Sequence, residues 1–312
     1  MGINIWSDFD WPFSSWVVSA PGNRYRTIQT NLETVLPMNP ITAIPQYIQT
    51  VFEATLAWKP VFAWFRGEPA NAPTPLLPRV FRKKYDENNL LQTFRRRAHL
   101  LNLPVIPPLE STDQWLFLAR HVGLPTRLLD WSEGALIGLY FALEAAERDE
   151  KSDGRSVVWM LNPHALNLKS AEDSSPNVFS LTWWDGRRPV LDKQGRPVID
   201  KVGNAVIRVN IGYENVQAAW TMEERGLEYP VAIEPTTIHP RMNAQHSYFT
   251  VHGKQHESLN KIVGEECLRK FDIHIPPERG IKELRTLGIA DSTIMPDADS
   301  LAKELSRFMV EE

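Results

Sequence analysis

Two short segments of this 312-residue chain gather the side chains that can handle an anion and a sugar hydroxyl. In the first, Phe65-Arg66-Gly67, an arginine follows the apolar run Val61-Phe62-Ala63-Trp64-Phe65 and meets a glycine. A guanidinium placed there sits at the mouth of the core, beside backbone that a ligand can approach, and it suits a diphosphate or a carboxylate. An arginine paired to an internal acid fits the same residues equally well.

The second segment, Arg120 to Ser132, sets His121, Thr126, Arg127, Asp130 and Ser132 among apolar neighbours. So dense a polar set in such surroundings is unusual. Asp130 with Glu133 three places later also matches a helix capping box, in which Asp130 or Ser132 satisfies free N–H groups. Both roles can coexist, because a helix start attracts anions. His121 has no paired nucleophile and reads as a hydrogen-bonded helix-end residue. A third segment, Arg241 to His246, brings a cation and the amide of Gln245 to the edge of a strand, or is an ordinary polar turn.

Other chemistries lack their signatures. The histidines do not recur at zinc-site spacing and H-E-x-x-H is missing, so no metal is expected. The sequence has no G-x-S-x-G elbow, no Walker sequence and no G-x-G-x-x-G after a strand. Basic residues cluster at Arg79, Arg82, Lys83 and Lys84 and again at Arg95 to Arg97. A solvated face is the default account; with nearby aromatic residues they can also guide a nucleic-acid strand towards Arg66.

The elements that position these residues follow from apolar periodicity. Val61 to Phe65 reads as a buried strand stopped by Gly67 and Pro69, leading to a loop. The spacing predicts helices over Asn88 to Leu101 and Thr112 to His121, then a breaker at Gly123-Leu124-Pro125 and a short strand at Thr126 to Trp131. A third helix is expected from about Asp130 to Ser132, with Leu136, Leu139, Tyr140 and Leu143 inward and Glu144, Glu147 and Arg148 elsewhere. Val157 to Leu161, Val231 to Pro235 and Ser247 to Val251 read as strands, and Leu301, Leu305 and Phe308 mark a terminal helix. Together these give an α+β fold, a mixed sheet with flanking helices. Residues 1–60 read as a helical and irregular extension, and residues 61–312 as one domain carrying an irregular insertion at about 165–228.

The net charge of -4 and pI near 6.1 give no global pull towards nucleic acid or membrane. A single cysteine, Cys267, cannot form an internal disulfide and reads as a small buried residue of a reducing compartment. With neither a signal peptide nor an apolar span long enough for a bilayer, the expected location is the cytoplasm.

Phe65-Arg66-Gly67, Leu76-Leu77-Pro78-Arg79, the run His121-Val122-Gly123-Leu124-Pro125-Thr126-Arg127-Leu128-Leu129-Asp130-Trp131 and Ala135 to Ala142 together resemble the FRG domain, a bacterial and phage family named for its Phe-Arg-Gly motif. Later likenesses at Arg241, Gln245, Phe249 and the closing helix extend it over about Val61 to Leu305. Arg120 departs from it, since the family usually has glutamine there. The order of elements is also remotely similar to ADP-ribosyltransferases, which implies a split sheet with NAD lying across it as co-substrate. That resemblance implies catalytic roles for Arg66, Asp130, Ser132 and Gln245, and NAD contacts from Arg66, Gly67, Thr126, Arg127 and Tyr140, the last stacking on nicotinamide. Glutamine cannot act as a carboxylate base, so Glu234 or Glu265 would supply the usual glutamate. The implied activity is that of an intracellular toxin or phage-defence effector modifying a protein or nucleic acid, with a neutralising antitoxin protein as partner and no membrane. The alternative is a non-catalytic nucleotide- or nucleic-acid-binding module.

Overall fold

Trp64–Pro69 forms β1, an interior strand of the main sheet, and it runs straight through the Phe-Arg-Gly motif instead of ending there. The computed structural model describes residues 39–58, 63–101, 103, 105–109, 111–149, 153–170, 179–180, 187–189, 196, 207–209, 230–235, 240–253 and 256–309. Met38–Glu312 forms one compact unit; the other unit, Met1–Pro37, lies outside the described residues. Val61 and Phe62, read as the start of the first strand, also lie outside them.

Strand β1 continues because Gly67 lets a helix lie directly on it. Helix α1 (Ile44–Trp58) precedes β1, and α2 (Glu87–Ala98), α3 (Thr112–His121), β2 (Leu128–Ser132) and α4 (Ala135–Arg148) follow. A Cβ added to Gly67 would come within 2.6 Å of the Ala142 Cα, and one on Gly138 within 2.6 Å of the Phe65 Cβ. Two missing side chains, one on each element, thus bring α4 into contact with the β1 backbone. The glycine of the motif is spent on this packing.

The remaining elements are β3 (Ser156–Leu161), α5 (Pro163–Ser170), β4 (Phe179–Ser180), β5 (Arg187–Pro189), β6 (Ile207–Val209), β7 (Val231–Glu234), α6 (Pro240–Ala244), β8 (Ser247–Val251), α7 (Leu259–Ile262), β9 (Leu268–Ile273), α8 (Pro277–Thr286), α9 (Asp291–Ile294) and α10 (Ala298–Phe308). The main sheet has the order β4-β7-β8-β2-β1-β3-β9. Its strands from β7 to β9 pair antiparallel, and the short β4 adds a parallel edge, so the fold is α+β with a mixed sheet. Strand β3 is buried along its whole length, as its continuous apolar run requires. The span expected to be irregular opens with α5, whose Leu166 is buried in the core; most of the span beyond Ser170 lies outside the described residues.

The junction of β1 with β2 is the narrowest in the sheet. β1 matches β3 residue by residue from Trp64↔Leu161 to Pro69↔Ser156, and β2 matches β8 from Leu128↔Val251 to Ser132↔Ser247. Between β1 and β2 the only pair is Phe65↔Ser132. On the helical side two apolar cores lie one to each side of this junction. One joins α1 and α4 to Phe65, Val158, Met160, Phe271 and Ile273; the other joins α2 and α3 to Leu128, Val231, Ile233, Phe249 and Val251. A third core, with Trp64, Leu129, Trp131 and Trp159, covers the other face.

Two sequence expectations are corrected here. Helix α4 starts at Ala135 with Gly134 as N-cap and no side-chain cap, so Asp130 and Glu133 form no capping box; Asp130 stands inside β2. Glu144 is buried, not on an outer face. The terminal helix marked by Leu301, Leu305 and Phe308 is present as α10; Phe308 packs against the first core, Leu301 and Leu305 are 47% and 39% exposed, and Ser300 and Glu304 are buried. The ionic face turns inward because fully buried Asp291 needs counter-charges, which Lys303 and Arg307 supply. Among the described residues no helix is long and apolar enough to cross a membrane.

Candidate functional site

A cavity of about 360 Å³ opens on the helical side where β1 and β2 part. Its size falls within the ~300–1,000 Å³ usual for small-molecule sites. Phe65, Arg66 and Gly67 of β1 and Asp130, Trp131 and Ser132 of β2 border it. Phe141, Glu144 and Arg148 come from α4, Arg120, His121 and Gly123 from the end of α3, and Arg241, Gln245 and Phe249 from α6 and β8. Arg79 reaches in from the single 3-10 turn Arg79–Arg82.

The end of α3 owes its shape to Gly123. Its φ of +88° belongs to the left-handed region that glycine enters freely. The Gly123 N–H donates to the Arg120 carbonyl at 3.0 Å and the Leu124 N–H to the Ala119 carbonyl at 2.9 Å, the Schellman pattern that ends a helix. The chain then turns back into β2, which sets Arg120 of the helix against Asp130 of the strand. Arg120 Nε lies 2.9 Å from both Asp130 carboxylate oxygens, and its Nη2 also bonds Oδ2.

Strand alternation sends Arg66 to the same face as Trp64 and Glu68, opposite Phe65. The gap in the sheet lets its guanidinium meet β2 all the same. Nη1 donates to the Asp130 main-chain carbonyl at 2.9 Å and lies 3.6 Å from Oδ2, while Nε donates to Glu68 at 3.0 Å. Both accounts of this arginine hold together: it is paired to an internal acid and it lines the cavity.

Desolvation would push the Asp130 carboxyl up, but the Arg120 guanidinium, its hydrogen bonds and Arg66 hold it below the ordinary carboxylate range. Asp130 therefore stays ionised at neutral pH and acts as an acceptor, not as a proton donor. Glu144, with 6% of its side chain exposed, accepts from Arg148 at 2.7 Å and from Lys303 of α10 at 2.6 Å. Five guanidinium groups border the cavity against two carboxylates, and the excess is positive. Gln245 Nε2 is buried there without a hydrogen-bond partner.

Of the residues singled out in the sequence, the structure brings Arg66, Gly67, Asp130, Ser132 and Gln245 to one cavity. Thr126, Arg127 and Tyr140 lie outside it. Arg127 is held by Glu87 through Nε and Nη2, both at 2.8 Å, and Thr126 is buried beside it. Tyr140 is fully buried in the apolar core beneath α4, so the helix presents Phe141 to the cavity instead. Glu234 and Glu265 do not border the cavity either; Glu144 does, and sequence reasoning missed it because it follows the pattern of an exposed helix position. Cys267 is buried, and desolvation pushes its thiol up to about 12, in keeping with an inert packing residue.

No curated protein and no solved structure matches the chain. Residues 62–151 match the FRG domain family, a shorter span than the likeness read from Val61 to Leu305. That span runs from just before β1 to just past α4 and includes the motif Phe65-Arg66-Gly67 with Asp130, Ser132 and Glu144. The guanidinium, carboxylates and hydroxyl that converge at the parted strands thus lie within the span that matches the FRG domain family.

Proposed function

We propose that the chain is an NAD-dependent ADP-ribosyltransferase, an intracellular toxin or phage-defence effector that modifies a macromolecule. One observation carries this reading: Arg66, Asp130 and Ser132, from two strands that part, border one electropositive cavity. The residues present fit a dinucleotide. Guanidinium groups suit a diphosphate, the partly buried Phe141 suits a flat base, and the unpartnered Gln245 Nε2 suits a sugar hydroxyl.

When bound, NAD supplies a ribose carbon whose bond to nicotinamide breaks as positive charge grows on the sugar. Arg66 and Arg79 face the diphosphate charge. Ser132 orients the ribose through its hydroxyls. Asp130, kept ionised by Arg120, lends negative charge beside the sugar at little cost in reorganisation. Glu144 holds the cavity wall through Lys303.

The test is incubation of the folded protein with NAD labelled on the adenylate, in cell extract. Release of nicotinamide and label on a macromolecule are expected; neither appearing would overturn the proposal. A second reading, a nucleotide-binding module without turnover, draws on Gln245 standing where the ADP-ribosyltransferase likeness has a glutamate and on the neutralised charge of Asp130. It predicts stabilisation by ligand without nicotinamide release.

A further inference from the structure

A second groove, of about 700 Å³, adjoins the cavity across the Arg79–Arg82 turn, and its lining is unlike that of the first. Arg82, Lys83 and Lys84 supply cations, and Phe81, Tyr85 and His256 supply flat rings. The rings of Phe81 and His256 stack at 4.1 Å and 20°, leaving the exposed His256 ring as an outer platform, and Tyr85 is 39% exposed.

The acids of this groove are already committed. Glu87 is bound to Arg127, and Asp86 caps α2 by accepting from the Asn89 N–H at 3.0 Å. Among the described residues no carboxylate forms an ion pair with Lys83 or Lys84. Arg82 donates through Nε to the Leu77 carbonyl at 2.9 Å and stands near enough to Arg66, Arg79 and Arg120 for their charge to oppose its own. The turn thus joins the groove to the cavity as one positive path, in a chain whose net charge is -4.

We infer that this groove binds a single-stranded nucleic acid and leads it towards the Arg66 cavity. Cations spaced along a backbone track, with rings beside them for bases to stack on, match a single strand better than a duplex, whose bases are already stacked. As the acceptor of ADP-ribose the strand rests on the function proposed above; as a ligand of the groove it does not.

The experiment is fluorescence anisotropy with a labelled 12-nucleotide RNA or DNA strand, a duplex of equal length and poly-glutamate. The proteins are the wild type and the variant Lys83→Glu/Lys84→Glu/Tyr85→Ala, whose three changes lie at exposed positions. The wild type is expected to bind the single strand at least tenfold more tightly than the variant. Loss of two phosphate contacts reduces the salt slope by roughly 1.4 for a single strand. Binding of ADP-ribose by the variant is expected to be unchanged, which separates failure of the groove from failure of the cavity. Equal affinity of variant and wild type, or preference for the duplex, would overturn the inference. Tighter binding of poly-glutamate would overturn it as well and assign the groove to an acidic protein.

Discussion

Arg66 Nη1 donates to the main-chain carbonyl of Asp130 at 2.9 Å, and so a side chain stands in for the ladder partner that β1 does not supply to β2. The same guanidinium holds Glu68 and approaches the Asp130 carboxylate. One group thus closes the gap in the sheet on one side and charges the cavity on the other.

Arg66→Ala removes a partner from Glu68 and from the Asp130 carbonyl and is expected to cost about 1–3 kcal/mol in chemical denaturation. Arg66→Lys keeps a charge but loses the fork that reaches both acids. It is expected to remain folded and to bind ADP-ribose at least tenfold more weakly. Full stability of the alanine variant would contradict the structural half of this account.

Gly67→Ala places a methyl group against the backbone of α4, which cannot yield as a side-chain end can. The expected result is loss of soluble folded protein, or a destabilisation above about 3 kcal/mol by thermal melting. A variant that melts like the wild type would show that α4 does not lie on β1 as described.

Glu144→Gln breaks a buried pair, although Lys303 keeps Asp291 at 2.7 Å. The expected loss is about 3 kcal/mol, or roughly 5 °C in Tm for a unit of this size. Lys303→Met is expected to destabilise as well, and the double variant by less than the sum, because both changes remove one interaction. Strict additivity would place Lys303 outside the wall of the cavity.

His252 is fully buried, and both its ring nitrogens lack a hydrogen-bond partner. Burial first, then the charges of Arg127 and His256, push its imidazole down to about 3 from the ordinary 6.5. Below pH 6.5 the unfolded chain takes up a proton that the folded chain refuses. Stability from this group is therefore complete above pH 6.5 and falls by about 1.4 kcal/mol per pH unit between there and about pH 3. His252→Phe is expected to flatten urea-derived stability between pH 6 and 4 by about one proton; identical slopes would refute the buried neutral imidazole.

Much of this arrangement was legible in residue order. The residues from Thr112 to His121 and from Ser247 to Val251 give α3 and β8, because a run of apolar residues between polar breakers leaves little choice. The end of β1 is hidden because a glycine in a strand looks like a stop, and only the partner glycine of α4, 71 positions later, gives it another use. Tyr140 and Phe141 are neighbours on one helix, and which of them meets the cavity depends on the angle at which α4 crosses β1. Glu144 and the inward ionic face of α10 were hidden for a related reason: a charged residue at helical spacing reads as solvated until a distant partner such as Lys303 is known.

Calorimetric titration of ADP-ribose into the wild type and Arg66→Lys tests the central claim most directly, namely that the parted strands hold a dinucleotide at Arg66. The expected result is saturable binding at one site by the wild type and at least a tenfold loss in a variant that still melts cooperatively. Equal affinity in the two proteins, or no binding to a folded wild type, would contradict it.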